Sequence, residues 1–247
     1  MADIEVCRDA EALATAAAER FVALAAEAIE RQGRFAVALS GGSTPKALYS
    51  RLAHSDDAMR VEWDRVHIFF GDERCVPPDN PDSNYHMARE ALLNRVPIPR
   101  HCVHRMRGEV DPLAAAQEYE ETLIGFFNSR PDEKARGTPR FDLILLGLGE
   151  NGHTASLFPG STAVREEWRW VLAVNPEGVP QWRLTLTPVV LNAAANVIFL
   201  VSGEAKRERL REVLEGPYVP DDLPAQIVNP TDGSLRWMVD EAAAGQG

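Results

Sequence analysis

Four short apolar runs constrain what this chain can fold into. They are Phe35–Ser40 (FAVALS), Val66–Phe70 (VHIFF), Phe141–Leu146 (FDLILL) and Asn196–Val201 (NVIFLV). Each has the length of a strand and is apolar almost throughout, the pattern of a strand covered on both faces. Each runs out into glycine or charge: SGGSTP, GDER, GLGENGHTASLFPG and SGEAK. Helical patterns lie between them. Asp9 can cap Ala10–Gln32, with Gly33 where a helix end favours a left-handed residue. Pro45 suits the first turn of a helix near Lys46–Leu52, and Asp111 can cap Pro112–Phe127. Asn84–Asn94 and Glu204–Leu214 also read as helices.

Buried strands interleaved with helices predict an α/β fold: three αβα layers around a mostly parallel central sheet, Rossmann-like in plan. Trp170–Val174 and Arg183–Leu186 are weaker strand candidates, and Ala225–Val228 and Leu235–Val239 read as short closing strands. Gly71–Ser83 and Pro131–Pro139 read as polar loops. In such sheets ligands bind at the carboxyl ends of the strands, where the strand order reverses. The four glycine-rich or charged strand ends are therefore expected to gather into one site.

The 247 residues form one expected domain, residues 1–247, long enough to bury roughly 70–75% of the surface of the unfolded chain. No disulfide or metal staple is needed at that size. The cysteines, Cys7, Cys75 and Cys102, are odd in number and lack a CxxC spacing, which suits a reducing cytoplasm. The amino terminus, MADIEVCRDAEAL, has no basic region leading into an apolar one, and no apolar run is long enough to span a bilayer. Net charge is −11, from 26 basic and 37 acidic residues, which disfavours a broad nucleic-acid surface. A small anionic ligand would have to be held by a few local cations.

The first loop sets Gly41, Gly42, Ser43 and Thr44 between a strand and a helix. Bare backbone, amides at a helix start and two hydroxyls favour an anion, although the P-loop spacing is absent. In the second loop, Arg74 can clamp a phosphate or carboxylate, and Asp72 can orient it or touch hydroxyls. Lys206, after the fourth strand, can reach an anion, and Arg183 is a further candidate of that kind.

The third loop, Gly147-Leu148-Gly149-Glu150-Asn151-Gly152, matches GxGxxG, with Glu166 and Glu167 near the offset of an acidic ribose ligand. A dinucleotide fingerprint belongs on the first strand and opens a long helix, whereas Pro159 allows about two turns at most. A nicotinamide enzyme is therefore a remote alternative. His153, among glycines at a strand end, suits proton transfer near neutrality. Of the other histidines, His67 lies in a strand and His54 and His86 on helices. His101 and His104, flanking Cys102, would make a poor two-ligand metal site, or bring one ring to the ligand. No GxSxG elbow and no HExxH occurs, so hydrolysis would run by general base catalysis on water, with neither metal nor cofactor.

The strings SGGSTPKALY, FFGDERCVPPDNPDSNY and LLGLGENGHTASLFPG, spread over most of the chain in this order, resemble the 6-phosphogluconolactonase family. The related glucosamine-6-phosphate deaminases share the fold, but carry after the histidine an Asn-Glu-Pro segment and a glutamate that assists it. Here Ser156-Leu157-Phe158-Pro159 stands instead. The resemblance implies hydrolysis of 6-phospho-D-glucono-1,5-lactone to 6-phosphogluconate, the second step of the oxidative pentose phosphate pathway. It implies His153 as general base, Arg74 and Lys206 on the phosphate, Gly41–Thr44 along the substrate, and Asp72 positioning hydroxyls or the histidine. Many family members have Asp where this chain has Asn151, and Asn can hold an imidazole but supplies no charge. The partner implied is a phosphorylated sugar lactone, with neither nucleic acid nor membrane, for a cytoplasmic monomer or weak homo-oligomer. The rival readings are a glucosamine-6-phosphate deaminase/isomerase and a non-catalytic sugar-phosphate sensor.

Overall fold

A computed structural model describes residues 3–127 and 137–245. The chain runs β1 (Asp3–Cys7), α1 (Ala10–Gln32), β2 (Phe35–Leu39), α2 (Ser43–Leu52), α3 (Ser55–Ala58), β3 (Val66–Phe70), β4 (Asp72–Arg74) and α4 (Asn84–Ala88). It continues through α5 (Pro112–Phe127), β5 (Leu143–Leu146), β6 (Val171–Val174), β7 (Arg183–Leu186), α6 (Pro188–Leu191), β8 (Asn196–Val201), α7 (Arg207–Glu215), β9 (Ser234–Asp240) and α8 (Glu241–Ala244).

Six strands form a parallel sheet in the order β1-β9-β8-β5-β2-β3, flanked by helices. The α/β reading holds. Every residue of β2 and β5 is buried, as two covered faces demand. From β2 the chain steps outward to β3; from β5 it steps the other way, to β8 and β9. The order therefore reverses between β2 and β5, and the loops after these two strands are the glycine-rich ones.

Helix α1 begins where Asp9 accepts the Ala12 N–H at 2.8 Å and ends where Gly33 takes φ 79°. Its apolar stripe, including Leu13, Ala17, Phe21, Ala25 and Ala28, is buried against β1, β2, β9 and α2. Each large side chain removed from water in this way stabilises the fold by roughly 1.5–3 kcal/mol.

Two tyrosines finish strands at the site edge. The Tyr49 hydroxyl accepts the Ser40 N–H at 2.9 Å and donates to the Ser40 carbonyl at 2.8 Å. The Tyr119 hydroxyl does the same for Phe70, at 2.9 and 3.2 Å. At Ser40 these bonds stand in for the ladder, so Ser40 lies beyond β2 and not in it, whereas Phe70 still pairs with Leu39 and its tyrosine satisfies the open edge of β3.

Several boundaries differ from the sequence reading. β1 was hidden by its polar alternation, DIEVC. Within the supposed loop Gly71–Ser83, β4 joins β7 and β6 in a second, antiparallel sheet. α2 starts at Ser43, and a 3₁₀ turn, Glu204–Lys206, precedes α7. Asn84–Asn94 divides into α4 and the π-helical turn Arg89–Leu93. β5 starts at Leu143 because the Asp142 carboxylate, not a carbonyl, takes the Ala36 N–H, at 2.9 Å. Ala225–Val228 is no strand: Pro224–Ile227 forms a 3₁₀ turn, opened by a proline that fixes φ and lacks a ladder donor. The Pro131–Arg136 part of the polar loop Pro131–Pro139 lies outside the described residues. No helix among the described residues is long and apolar enough to cross a membrane.

Candidate active site

A cleft of about 580 Å³ opens at the carboxyl edge of the parallel sheet. The loops after β2, β3, β5 and β8 all contribute, so the strand ends do gather. Gly41, Gly42, Ser43, Thr44, Asp72, Arg74, Asn151, His153 and Lys206 all line it. Arg183 is not among the lining residues; it stands directly opposite Arg74 in the antiparallel β4–β7 ladder, on the same face of that pair, and within electrostatic reach of His153.

The GxGxxG glycines serve the histidine. A Cβ on Gly149 would stand 2.0 Å from the His153 Nδ1, so the missing side chain is the space the ring fills. Gly152 takes φ 85°, and a Cβ there would meet Leu223 at 2.8 Å. The Gly149 N–H donates to the His153 carbonyl at 2.8 Å and the Gly152 N–H to the Gly149 carbonyl at 3.1 Å. The loop leads into a short turn and no long helix, unlike a dinucleotide fold. Glu166 accepts backbone N–H groups of its own turn, and neither it nor Glu167 lines the cleft. Behind the loop, the Ala225 N–H donates to the Gly152 carbonyl at 3.0 Å and the Arg209 Nε to the Glu150 carbonyl at 2.9 Å.

The tautomer of His153 follows from its neighbours. Asn151 Oδ1 accepts the backbone N–H of His153 at 3.2 Å, which requires the amide oxygen, not the NH₂, at that spot. The same oxygen lies 2.5 Å from the ring Nδ1, so Nδ1 carries the proton and Nε2 keeps a lone pair. The ring stacks on Phe158, centroids 4.5 Å apart. Burial lowers the His153 pKa below the usual imidazole range, Asp72 raises it, and Lys206, Arg183 and Arg74 lower it further. The imidazole is thereby kept neutral, the form a base needs.

Asp72 is buried beside the ring's cleft, with its carboxylate held by Asn84 and Ser156. Arg74 donates from Nη1 to the Asp82 carbonyl at 2.6 Å, while its Nε is buried without a partner. The first turn of α2 has no side-chain cap, which leaves its amides for an anion.

The remaining histidines stand elsewhere. His67 Nδ1 and His104 Nε2 lie 3.3 Å apart, and His104 stacks on Phe69. Neither they nor His54, His86 and His101 line the cleft. Cys102 is buried with its Sγ 4.0 Å from the Asp64 carbonyl. Among the described residues no three His, Cys, Asp or Glu side chains group as metal ligands. Sequence reasoning missed Asn84, although it lies inside the quoted string PDSNY, and gave Ser156 no contact of its own.

A parallel α/β sheet with a polar, histidine-bearing cleft at its switch point places the chain in the Rossmann-like class. The chain belongs to the Glucosamine-6-phosphate isomerases/6-phosphogluconolactonase family, whose description matches residues 8–237. It is 42% identical over 248 residues to the 6-phosphogluconolactonase of Nostoc sp., covering 98% of this chain and 97% of that one. Its fold is similar to that of 6-phosphogluconolactonase from Trypanosoma cruzi, with TM-score 0.86, 32% identity, and 99% and 96% of the two chains covered. A monomeric glucosamine-6-phosphate deaminase, 21% identical with TM-score 0.80 and 99% and 100% coverage, shares the fold.

Proposed function

We propose that this chain hydrolyses 6-phospho-D-glucono-1,5-lactone to 6-phospho-D-gluconate, with His153 as general base. The observation that carries the reading is the pair Asn151–His153, which leaves Nε2 as a hydrogen-bond acceptor in a cleft with Arg74 and Lys206. The names of the relatives and the loss of the deaminase-type glutamate support the same chemistry.

Arg74, Lys206 and the first-turn amides of α2 take the phosphate, and charge-assisted contacts fix the sugar. Nε2 of His153 removes a proton from water as the water oxygen bonds to C1 of the lactone. The carbonyl electrons move onto oxygen, giving a tetrahedral oxyanion. The Gly149 and Gly152 amides are already committed within their own loop and do not serve as its donors. Collapse of the intermediate breaks the C1–ring oxygen bond, and the imidazolium returns its proton to that oxygen. Asp72 offsets the positive charge of the ring in between.

The test is the hydrolysis rate above the spontaneous one, for wild type and His153→Ala side by side. The substitution lowers kcat by roughly 10²–10⁴-fold, and an unchanged kcat rejects the assignment. Release of ammonia from glucosamine 6-phosphate, with no lactone turnover, would favour the deaminase reading instead.

A further inference from the structure

Asp72 is buried in the cleft wall and 8% exposed, yet both of its carboxylate oxygens have donors. Ser156 Oγ donates to Oδ2 at 2.7 Å. Asn84 Nδ2 donates to Oδ1 at 3.0 Å and to the Asp72 carbonyl at 2.9 Å. Ser156 and Asn84 are themselves 1% and 3% exposed, so water does not compete for these bonds.

Neither donor is placed by its own local chain alone. The Glu73 carboxylate accepts the N–H groups of Asn84 and Tyr85, at 2.7 and 2.8 Å, and the Ser83 hydroxyl at 3.0 Å. That fastens the start of α4 to β4. A Cβ on Gly41 would fall 2.1 Å from Asn84 Oδ1, so the first loop leaves room for this amide. On the other side, Ala155 is the only non-glycine with positive φ among the described residues, at 46°. This left-handed residue turns the chain so that Ser156 points at Asp72, and the Ser156 N–H is held by Thr185 Oγ1 at 3.1 Å.

We propose that Ser156 and Asn84 are positioning residues for the reaction, holding the Asp72 carboxylate toward the His153 cleft so that it supplies the negative charge that Asn151 lacks. The inference rests on the reading of His153 as general base. In this arrangement two tasks are divided: Asn151 orients the ring through Nδ1, and Asp72 stabilises its cation. The charged groups that bear on the ring are Asp72, Lys206, Arg183 and Arg74. A carboxylate released by Ser156 or Asn84 has Arg74 and Arg183 to turn to, since these face each other across the β4–β7 pair. Its charge would then be spent on guanidinium groups rather than on the imidazole.

The experiment combines Ser156→Ala and Asn84→Ala with two readouts. One is the NMR titration of the His153 ring in the free protein, assigned with His153→Gln. The other is lactone hydrolysis across pH. We expect the His153 pKa to fall in both variants, and kcat to fall roughly tenfold or more while KM moves much less. Two chemically different substitutions keep the test decisive if one variant folds poorly. A His153 pKa that stays at its wild-type value in a folded variant overturns the proposal, whatever the activity. If the wild type fails to hydrolyse the lactone, the reaction assignment falls, and the NMR titration alone decides the positioning role.

Discussion

Asn151 Oδ1 accepts from both the main chain and the ring of His153, at 3.2 and 2.5 Å. The backbone bond fixes which end of the amide faces the ring, and the ring bond fixes which nitrogen is basic. Asn151→Asp keeps the acceptor and adds a negative charge, so the His153 pKa rises from its depressed value. The base works only when neutral, so activity falls as pH drops through this pKa. The acid limb of kcat/KM therefore moves to higher pH in Asn151→Asp, as a pH–rate profile would record. Asn151→Ala frees the tautomer and forfeits part of the roughly 10²–10⁴-fold supplied by acid–base catalysis.

Gly149→Ala puts a methyl group where the imidazole lies, 2.0 Å from Nδ1. The ring must move by an ångström or more. The expected loss in kcat is about 10²-fold, with a circular dichroism spectrum like that of wild type.

Arg74→Ala and Lys206→Ala each remove a cation from the cleft. KM for the phosphorylated lactone should rise by more than kcat falls, since the contact is made before and during the reaction alike. Steady-state kinetics with phosphorylated and unphosphorylated lactone check this, and only the phosphorylated substrate should be affected.

Tyr49→Phe leaves the Ser40 N–H and carbonyl without their buried partner. The expected cost is about 1–3 kcal/mol, read from urea unfolding midpoints at constant m-value.

The histidine pair at β3 makes the fold acid-sensitive. Burial pushes the His104 pKa down to about 4, helped by His67 and His101, and burial lowers His67 as well. Both rings fold in the neutral form. Unfolded histidine titrates near 6.5, so between that value and about 4 the unfolded chain binds more protons. The stability is complete above the unfolded value and is lost as pH falls through this window. Thermal unfolding should show a Tm that declines from pH 7 to pH 5, and less so in His104→Phe.

The strands that carry the cleft were legible because their signal is local: a buried run such as FAVAL or LILL needs only its own residues. The gathering of their loops followed from one topological rule. β1 was not legible, since its alternating pattern makes sense only beside β9. Nor was β4, three residues long and formed by its pairing with β7. Within the site, His153 stood out because glycines surround it in sequence. Ser156 did not, because its partner Asp72 is 84 residues away. Arg183 looked like Arg74 in the sequence, and only the strand register shows that the two stand opposite each other on neighbouring strands, 109 residues apart in the chain.

The tyrosine clamps at Ser40 and Phe70 bear on how such a cleft can change over time. They close the hydrogen-bond account of each strand just before its loop departs. Insertions or exchanges in the loops beyond them need not unravel the sheet. Recognition of a differently shaped sugar could therefore be grafted onto this platform without rebuilding the floor beneath it.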